Sequence, residues 1–370
     1  MITKQFTELY VDVTKKATKI PQENYLKQGK YPIVDQGREQ IAGRWNDADG
    51  LFLEVPAIIF GDHTRAVKYI DEPFFIGADG VKVLRPINNM DNAKYYYYAL
   101  QAARIPNLGY SRHFKVVKEL MIRVYPRADQ DKIVSLLEQL DELIDTRHSE
   151  LSVLEQLVKS RFIEMFGDPN IEFKYESHKF KEFASDMTKG PFGSDMKKDL
   201  FVSKGEDTYK VYIQANAIQG DQNIGDYYIS KEYFDSKIFR FEVHPGDYII
   251  TCDGTLGKHL RLNDEIEKGV ISPSLLRLTL NEEKMTKEYF EYLWDMYMLL
   301  LMKKEARNAC LVHLPSAKVI GEIDIPVPPF TMQNEFSRFV EHADKSKFEI
   351  QQSIDKLETL KKSLMQQYFG

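Results

Sequence analysis

One stretch of 44 residues occurs twice in this chain, and any fold must accommodate both copies. Residues 124–167 and 327–370 align without a gap at an offset of 203. Val124/Val327, Pro126/Pro329, Gln130/Gln333, Glu138/Glu341, Asp141/Asp344, Leu154/Leu357, Leu157/Leu360, Phe166/Phe369 and Gly167/Gly370 are identical pairs. In the first copy Leu137, Leu140, Ile144, Leu151, Leu154 and Val158 recur on steps of three and four, a heptad stripe that Arg147 and Arg161 interrupt. In the second, Val340, Ala343, Ile350, Ile354, Leu357 and Leu364 keep the seam, and Lys347 and Lys361 interrupt it. Pro126 suits a first helical turn, and Gly167 followed by Pro169 suits a stop. A helix over 130–166 is roughly 55 Å long at ~1.5 Å per residue. Long helices with apolar seams need a partner. The economical arrangement packs the two on each other, antiparallel, as a coiled coil; the alternative is a coiled coil to another subunit.

The helices divide the chain into a first block, 1–126, a first long helix, 127–167, a second block, 168–329, and a second long helix, 330–370. The first block alternates strand-like runs with turns: Tyr31–Val34, Ala57–Phe60 and Val81–Leu84 are rich in β-branched and aromatic residues. Asn92–Ala103 reads as a helix whose tyrosine cluster, Tyr95–Tyr98, is core, with a base-stacking platform as the sharper alternative. The second block repeats the first loosely and in the same order. FTELYVDVTKK (6–16) resembles FKEFASDMTKG (180–190), and AIIFGDHTRAVK (57–68) resembles DYIITCDGTLGK (247–258). Tyr31–Gln36 resembles Tyr209–Gln214, and Tyr95 and Tyr98 resemble Tyr289 and Tyr292. The expected fold class is therefore α+β: a pseudo-two-fold internal repeat of a globular block plus a long helix.

Composition narrows the class. At 370 residues, 43% hydrophobic and 29% charged, the chain can bury a core in each of two or three domains. Cys252 and Cys310 form no metal spacing and are expected reduced in a cytoplasmic protein. The N-terminus carries charges where a signal peptide needs an apolar run. Tyr289–Met302, an apolar run broken by Glu291 and Asp295, reads as a buried helix rather than a membrane span. The net charge of −6 disfavours nucleic acid, but it is uneven. Residues 1–126 hold 18 Lys+Arg against 14 Asp+Glu, whereas 167–329 hold 21 against 27. Any DNA contact must use local patches.

Catalytic patterns are missing from the sequence: no P-loop, no GxGxxG, no HExxH, no GxSxG elbow. Val327-Pro328-Pro329-Phe330 lacks the leading polar residue of an amino-methyltransferase turn, and Glu172-Phe173-Lys174 lacks the upstream Asp of a nuclease strand. Loops rich in hydrogen-bond donors are present instead. In the first block they carry Gln36 and Arg38, His63, Thr64 and Arg65, and Ser111, Arg112 and His113. In the second they carry Lys189, Phe192 and Ser194, Gln214 and Asn216, and Thr255 and Lys258. Arg and Lys suit guanine edges and phosphates, Gln and Asn suit adenine edges, and glycine lets backbone approach a phosphate. Their recurrence at equivalent places makes them candidate DNA-binding residues. A coiled-coil scaffold binding proteins through two similar blocks is the competing reading.

Pro328-Pro329-Phe330-Thr331-Met332-Gln333, its counterpart Tyr125-Pro126-Arg127-Ala128-Asp129-Gln130, and the phrases YPIVDQG, IIFGDHTR, SRHFK, KGPFGS and GDYIITCDGTLGK resemble the specificity subunit of type I restriction–modification systems, the HsdS family. The resemblance covers essentially the whole chain. It implies two target-recognition domains, each followed by a long helix, reading a bipartite double-stranded DNA target across a gap set by the helices. It implies a non-catalytic subunit. Two methyltransferase subunits and two restriction/translocase subunits would be its partners in phage defence, and S-adenosylmethionine, ATP and Mg would be held by those partners. At ~3.4 Å per base pair, a ~55 Å helix limits the reach to about 16 base pairs. The acidic second block departs from a simple DNA-binder.

Overall fold

Short β-rich runs bounded by Gly, Pro and Asp become short strands, and the repeated stretch becomes two long helices, in the computed structural model of the chain. The structure describes residues 1–77, 79–109, 111–168, 174–305 and 313–370. Tyr110, Pro169, Glu172, Phe173 and Cys310 lie outside the described residues. The chain divides into two compact units, Met1–Glu150 with Glu349–Gly370, and Leu151–Phe348.

In the first unit β1 (Ile2–Gln5) and α1 (Phe6–Leu9) lead to β2 (Tyr10–Asp12), β3 (Tyr31–Val34), β4 (Gly43–Trp45), β5 (Ala57–Gly61), β6 (Val67–Ile70), β7 (Phe75–Ile76) and β8 (Val81–Pro86). Then come α2 (Ala93–Ala102), α3 (Phe114–Val117), β9 (Met121–Val124) and the start of α4 (Arg127–Phe166). One sheet has the order β2-β8-β5-β6, another β4-β3-β7, and β1 pairs with β9. All pairs are antiparallel except β3 with β7. β5 is buried at every position because it is central in its sheet and covered on both faces. Three of the four tyrosines of α2 are core: Tyr95, Tyr96 and Tyr98 are buried, with hydroxyls donating to Arg123 O, Asp91 Oδ2 and Asp141 Oδ2, and Tyr97 is half-buried. No base can stack on the buried three in this state.

The second unit repeats that connectivity. After α4 come β10 (Ser177–Lys179), β11 (Ala184–Lys189), β12 (Thr208–Tyr212), α5 (Gln214–Gln219), β13 (Tyr228–Ser230) and α6 (Lys231–Tyr233). β14 (Tyr248–Thr251), β15 (His259–Arg261), β16 (Gly269–Ile271), β17 (Leu275–Leu280), α7 (Lys287–Leu293), α8 (Leu299–Glu305), α9 (Ala317–Gly321), β18 (Asp324–Pro326) and α10 (Phe330–Phe369) follow. The sheets run β11-β17-β14-β15 and β13-β12-β16, with β10 beside β18. β12 with β16 is the parallel pair, as β3 with β7 is in the first unit. The buried run 289–302 is helical, broken by a π-helical turn at Trp294–Met298.

Within each unit the two long helices pass each other in opposite directions. In the first, Tyr125 just before α4 packs on Tyr368 near the end of α10, and further along α4 Asp141 accepts from Lys361. In the second, Phe162 near the end of α4 packs on Phe336 near the start of α10, while Val158 shares a core with Val340 and Ala343. The cations that interrupt the seams are matched in place. Arg161 donates to Glu164 and Glu335, Lys361 to Asp141, Arg147 to Glu150, and Lys347 to Asp344. Each is paired with a carboxylate of the long helices while remaining partly exposed.

The identical Gln130 and Gln333 have the same job. Gln130 is 0% exposed; its Oε1 accepts from Asn92 N–H at 2.9 Å, and its Nε2 donates to Tyr125 O at 2.9 Å. Gln333 is 1% exposed; its Oε1 accepts from Thr286 N–H at 3.0 Å, and its Nε2 donates to Pro328 O at 3.0 Å. Asn92 and Thr286 are the N-caps of α2 and α7, with side-chain oxygens accepting from backbone N–H groups of the first turn. Each glutamine thus ties the start of a long helix to the helix of the block before it. That is the physical content of the Pro-x-x-x-Gln motif.

Candidate nucleic-acid interface

Strand direction decides where the donor-rich loops go. In the first unit β2 and β5 end, and β6 and β8 begin, at one edge of their sheet. β3 and β7 end, and β4 begins, at one edge of theirs, and the segment after β7 runs straight into β8. The loops 13–19, 35–42 and 62–66, with residues 77, 79 and 80, therefore share one end of the unit. The same argument in the second unit gathers 190–196, 213–227, 252–258 and 272–274. His113 N–H donates to Asp62 O, which brings 111–113 to the first cluster.

Within the first cluster some candidates build the loops and others face outward. Gln36 Oε1 accepts from His63 N–H at 3.3 Å, and Thr64 Oγ1 donates to Gln36 O, so the loops 35–42 and 62–66 are stitched together. Lys68 is buried beneath them and donates to Asp35 O at 2.8 Å; burial lowers its ammonium pKa, and Asp35 works against that shift. Arg65 sits at φ 61, the left-handed region, and its Nη1 donates to Ile105 O at 3.2 Å. Among the described residues, Arg38 and Arg112 make no side-chain hydrogen bond or ion pair, and both are exposed, as is Ser111. His113, by contrast, does not face outward. It is 0% exposed, Nδ1 faces Asp62 O at 2.9 Å, and Nε2 accepts from Leu108 N–H at 3.1 Å.

The second cluster divides in the same way. Asn216 is 0% exposed, its Oδ1 accepting from Ile213 N–H and its Nδ2 donating to Asp221 O and Ile224 O. It closes the 213–227 loop and likewise does not face outward. Gln214 is half-buried at the start of α5. Lys189, Phe192, Ser194, Thr255 and Lys258 are exposed, and among the described residues Lys189 and Lys258 make no side-chain hydrogen bond or ion pair. The 252–258 turn is the counterpart of 62–66, two residues longer: Thr251 N–H donates to Lys258 O as Gly61 N–H donates to Ala66 O. Gly257, at φ 75, holds the place of Arg65.

Three charged residues missed in the sequence join the first edge. Lys15 is exposed; Lys19 donates to Asp79 at 2.7 Å; Asp79 is held below the usual carboxylate range by that bond, then by the charges of Lys19 and Arg112. Lys15 stands opposite Lys189 when 6–16 is laid on 180–190, a signal the repeat contained. Asp79 and Lys19 had none. Among the described residues no group of His, Cys, Asp and Glu could hold a metal ion, and no helix is long and apolar enough to cross a membrane.

The fold of the chain is shared with proteins of known structure. The S subunit of a type I restriction–modification system from M. genitalium is similar over 100% of this chain and 96% of its own, at 18% identity and a TM-score of 0.56. A chain solved to explain complex assembly and conformational transition of the type I R-M system is similar over 100% and 97%, at 13% identity and a TM-score of 0.61. No curated protein shows a significant sequence match. Residues 7–156 match the family described as type I restriction modification DNA specificity domain.

Proposed function

We propose that the chain is the DNA-reading specificity subunit of a type I restriction–modification complex, with each unit reading one half of a split duplex target. The observation that carries this reading is the duplicated loop edge: one strand connectivity places polar and cationic loops at the same end of both units. The family match of residues 7–156 and the shared fold support it. Arg38, Arg112, Lys189 and Lys258 are the side chains available for base edges or phosphates, with Ser111, Ser194, Gln214 and Thr255 as further donors. Gln36, Thr64 and Arg65 shape the first reader.

In this reading the four-part division into blocks 1–126 and 168–329 and helices 127–167 and 330–370 is functional. The helices act as a coiled-coil spacer between the halves of a pseudo-two-fold repeat. The chain carries no chemistry of its own; two methyltransferase subunits with S-adenosylmethionine, and two restriction/translocase subunits with ATP and Mg, supply it. The methyltransferase also extrudes the target base, since its active site cannot reach a stacked one. The acidic second unit relies on those subunits for phosphate attraction.

The test is substitution of one reader at a time. In the complex with its methyltransferase, Arg112→Ala should relax or weaken recognition of one half-site and Lys258→Ala the other. Equal loss at both halves from either substitution contradicts two independent readers.

A further inference from the structure

Phe192 is a large apolar side chain held out in water at 78% exposure, and the loop that carries it is fixed. Gly190 N–H donates to Leu275 O at 2.8 Å, and a Cβ on Gly190 would stand 2.0 Å from Ser272 O, so glycine alone lets the loop lie on 272–274. Pro191 is buried. Asp195 N–H donates to Phe192 O at 2.8 Å, and Asp195 is anchored in turn by Tyr233 Oη–H and Lys237. A Cβ on Gly193 would meet nothing within 4 Å, which leaves one flank of the loop open. The ring shares the sheet end of Lys189, Thr255 and Lys258, and Lys197 and Lys198 follow it in sequence, exposed.

An exposed aromatic on a rigid loop between cations suits a stack of bases flanked by phosphates. Phosphates meet the lysines, and the ring enters a base step or caps an unstacked base. The first unit has no counterpart: its loop after β2 reads Val13-Thr14-Lys15-Lys16-Ala17-Thr18, without an aromatic. We propose that Phe192 is a wedge that opens one base step in the half-site read by the second unit, so that the two half-sites are held in different ways. This rests on the DNA-reading function above and assigns a specificity-determining residue to it. Selectivity would then come partly from how easily that step opens, as pyrimidine–purine steps do.

The test uses the full chain in complex with its methyltransferase subunits on a duplex carrying the split motif found by methylome sequencing. Permanganate reactivity of thymines and 2-aminopurine fluorescence are read through both half-sites. The wild type should show a reactive, fluorescent step in one half-site that Phe192→Ala abolishes, with affinity reduced about tenfold. Phe192→Leu, still able to wedge, should keep much of the signal, and the other half-site should be unchanged. A Phe192→Ala complex with wild-type affinity and an unchanged pattern overturns the wedge while leaving the reader intact. A change of equal size in both half-sites overturns it too. A wild-type complex that selects no split motif overturns the reading beneath it. Phe192 packs on no core, so loss through misfolding is excluded by an unchanged unfolding midpoint.

Discussion

Gln130 and Gln333, both buried side chains, make the same two hydrogen bonds to corresponding backbone groups, and that explains their identity better than any surface role. Gln130→Ala leaves Asn92 N–H and Tyr125 O without their partner, and should cost the first unit about 3 kcal/mol. Denaturant unfolding of that unit checks it, and a loss under about 0.5 kcal/mol contradicts it. Asn216→Ala should likewise destabilise the second unit, by about 2 kcal/mol, because three part-buried hydrogen bonds go with it. Lys258→Ala should change stability by less than about 0.5 kcal/mol yet weaken DNA binding. Under the proposed function, the contrast separates residues that build a loop from residues that would read DNA. It is also where the sequence is least informative. His113 and Asn216 have the polar chemistry of readers, but residue type does not reveal whether a side chain faces water or a neighbouring backbone carbonyl.

At the scale of elements, the duplicated stretch announces itself because a heptad stripe is a periodic signal, and periodic signals survive divergence. Helix ends were legible from Pro126 and Gly167; α4 and α10 each run for 40 residues. The partners of the interrupting cations were not legible. Arg161 meets Glu335 across 174 residues of sequence, and Lys361 meets Asp141 across 220. Such pairings depend on how two helices are phased, which a single seam does not state. The spacer role has its own test. One heptad added to each long helix lengthens it by about 10 Å, so the tolerated gap should grow by up to about three base pairs while both half-sites stay the same. Methylome sequencing reads the gap, and an unchanged gap contradicts a helical ruler.

For the whole molecule, the charge is uneven in a way that fits a shared task. Residues 1–126 are net basic and 167–329 net acidic, so under the proposed function the second unit has less phosphate attraction of its own. Affinity for DNA should therefore rise sharply when the methyltransferase joins. Filter binding with and without that subunit, at matched salt, checks it; equal affinity in both would place the attraction in this chain alone. The most direct test of two readers in one chain is selection of random duplexes by the complex carrying wild-type chain, Arg112→Ala or Lys258→Ala. A bipartite motif that loses definition in one half with the first substitution and in the other half with the second is the predicted result. A single undivided motif, or one that blurs in both halves with either substitution, would contradict it.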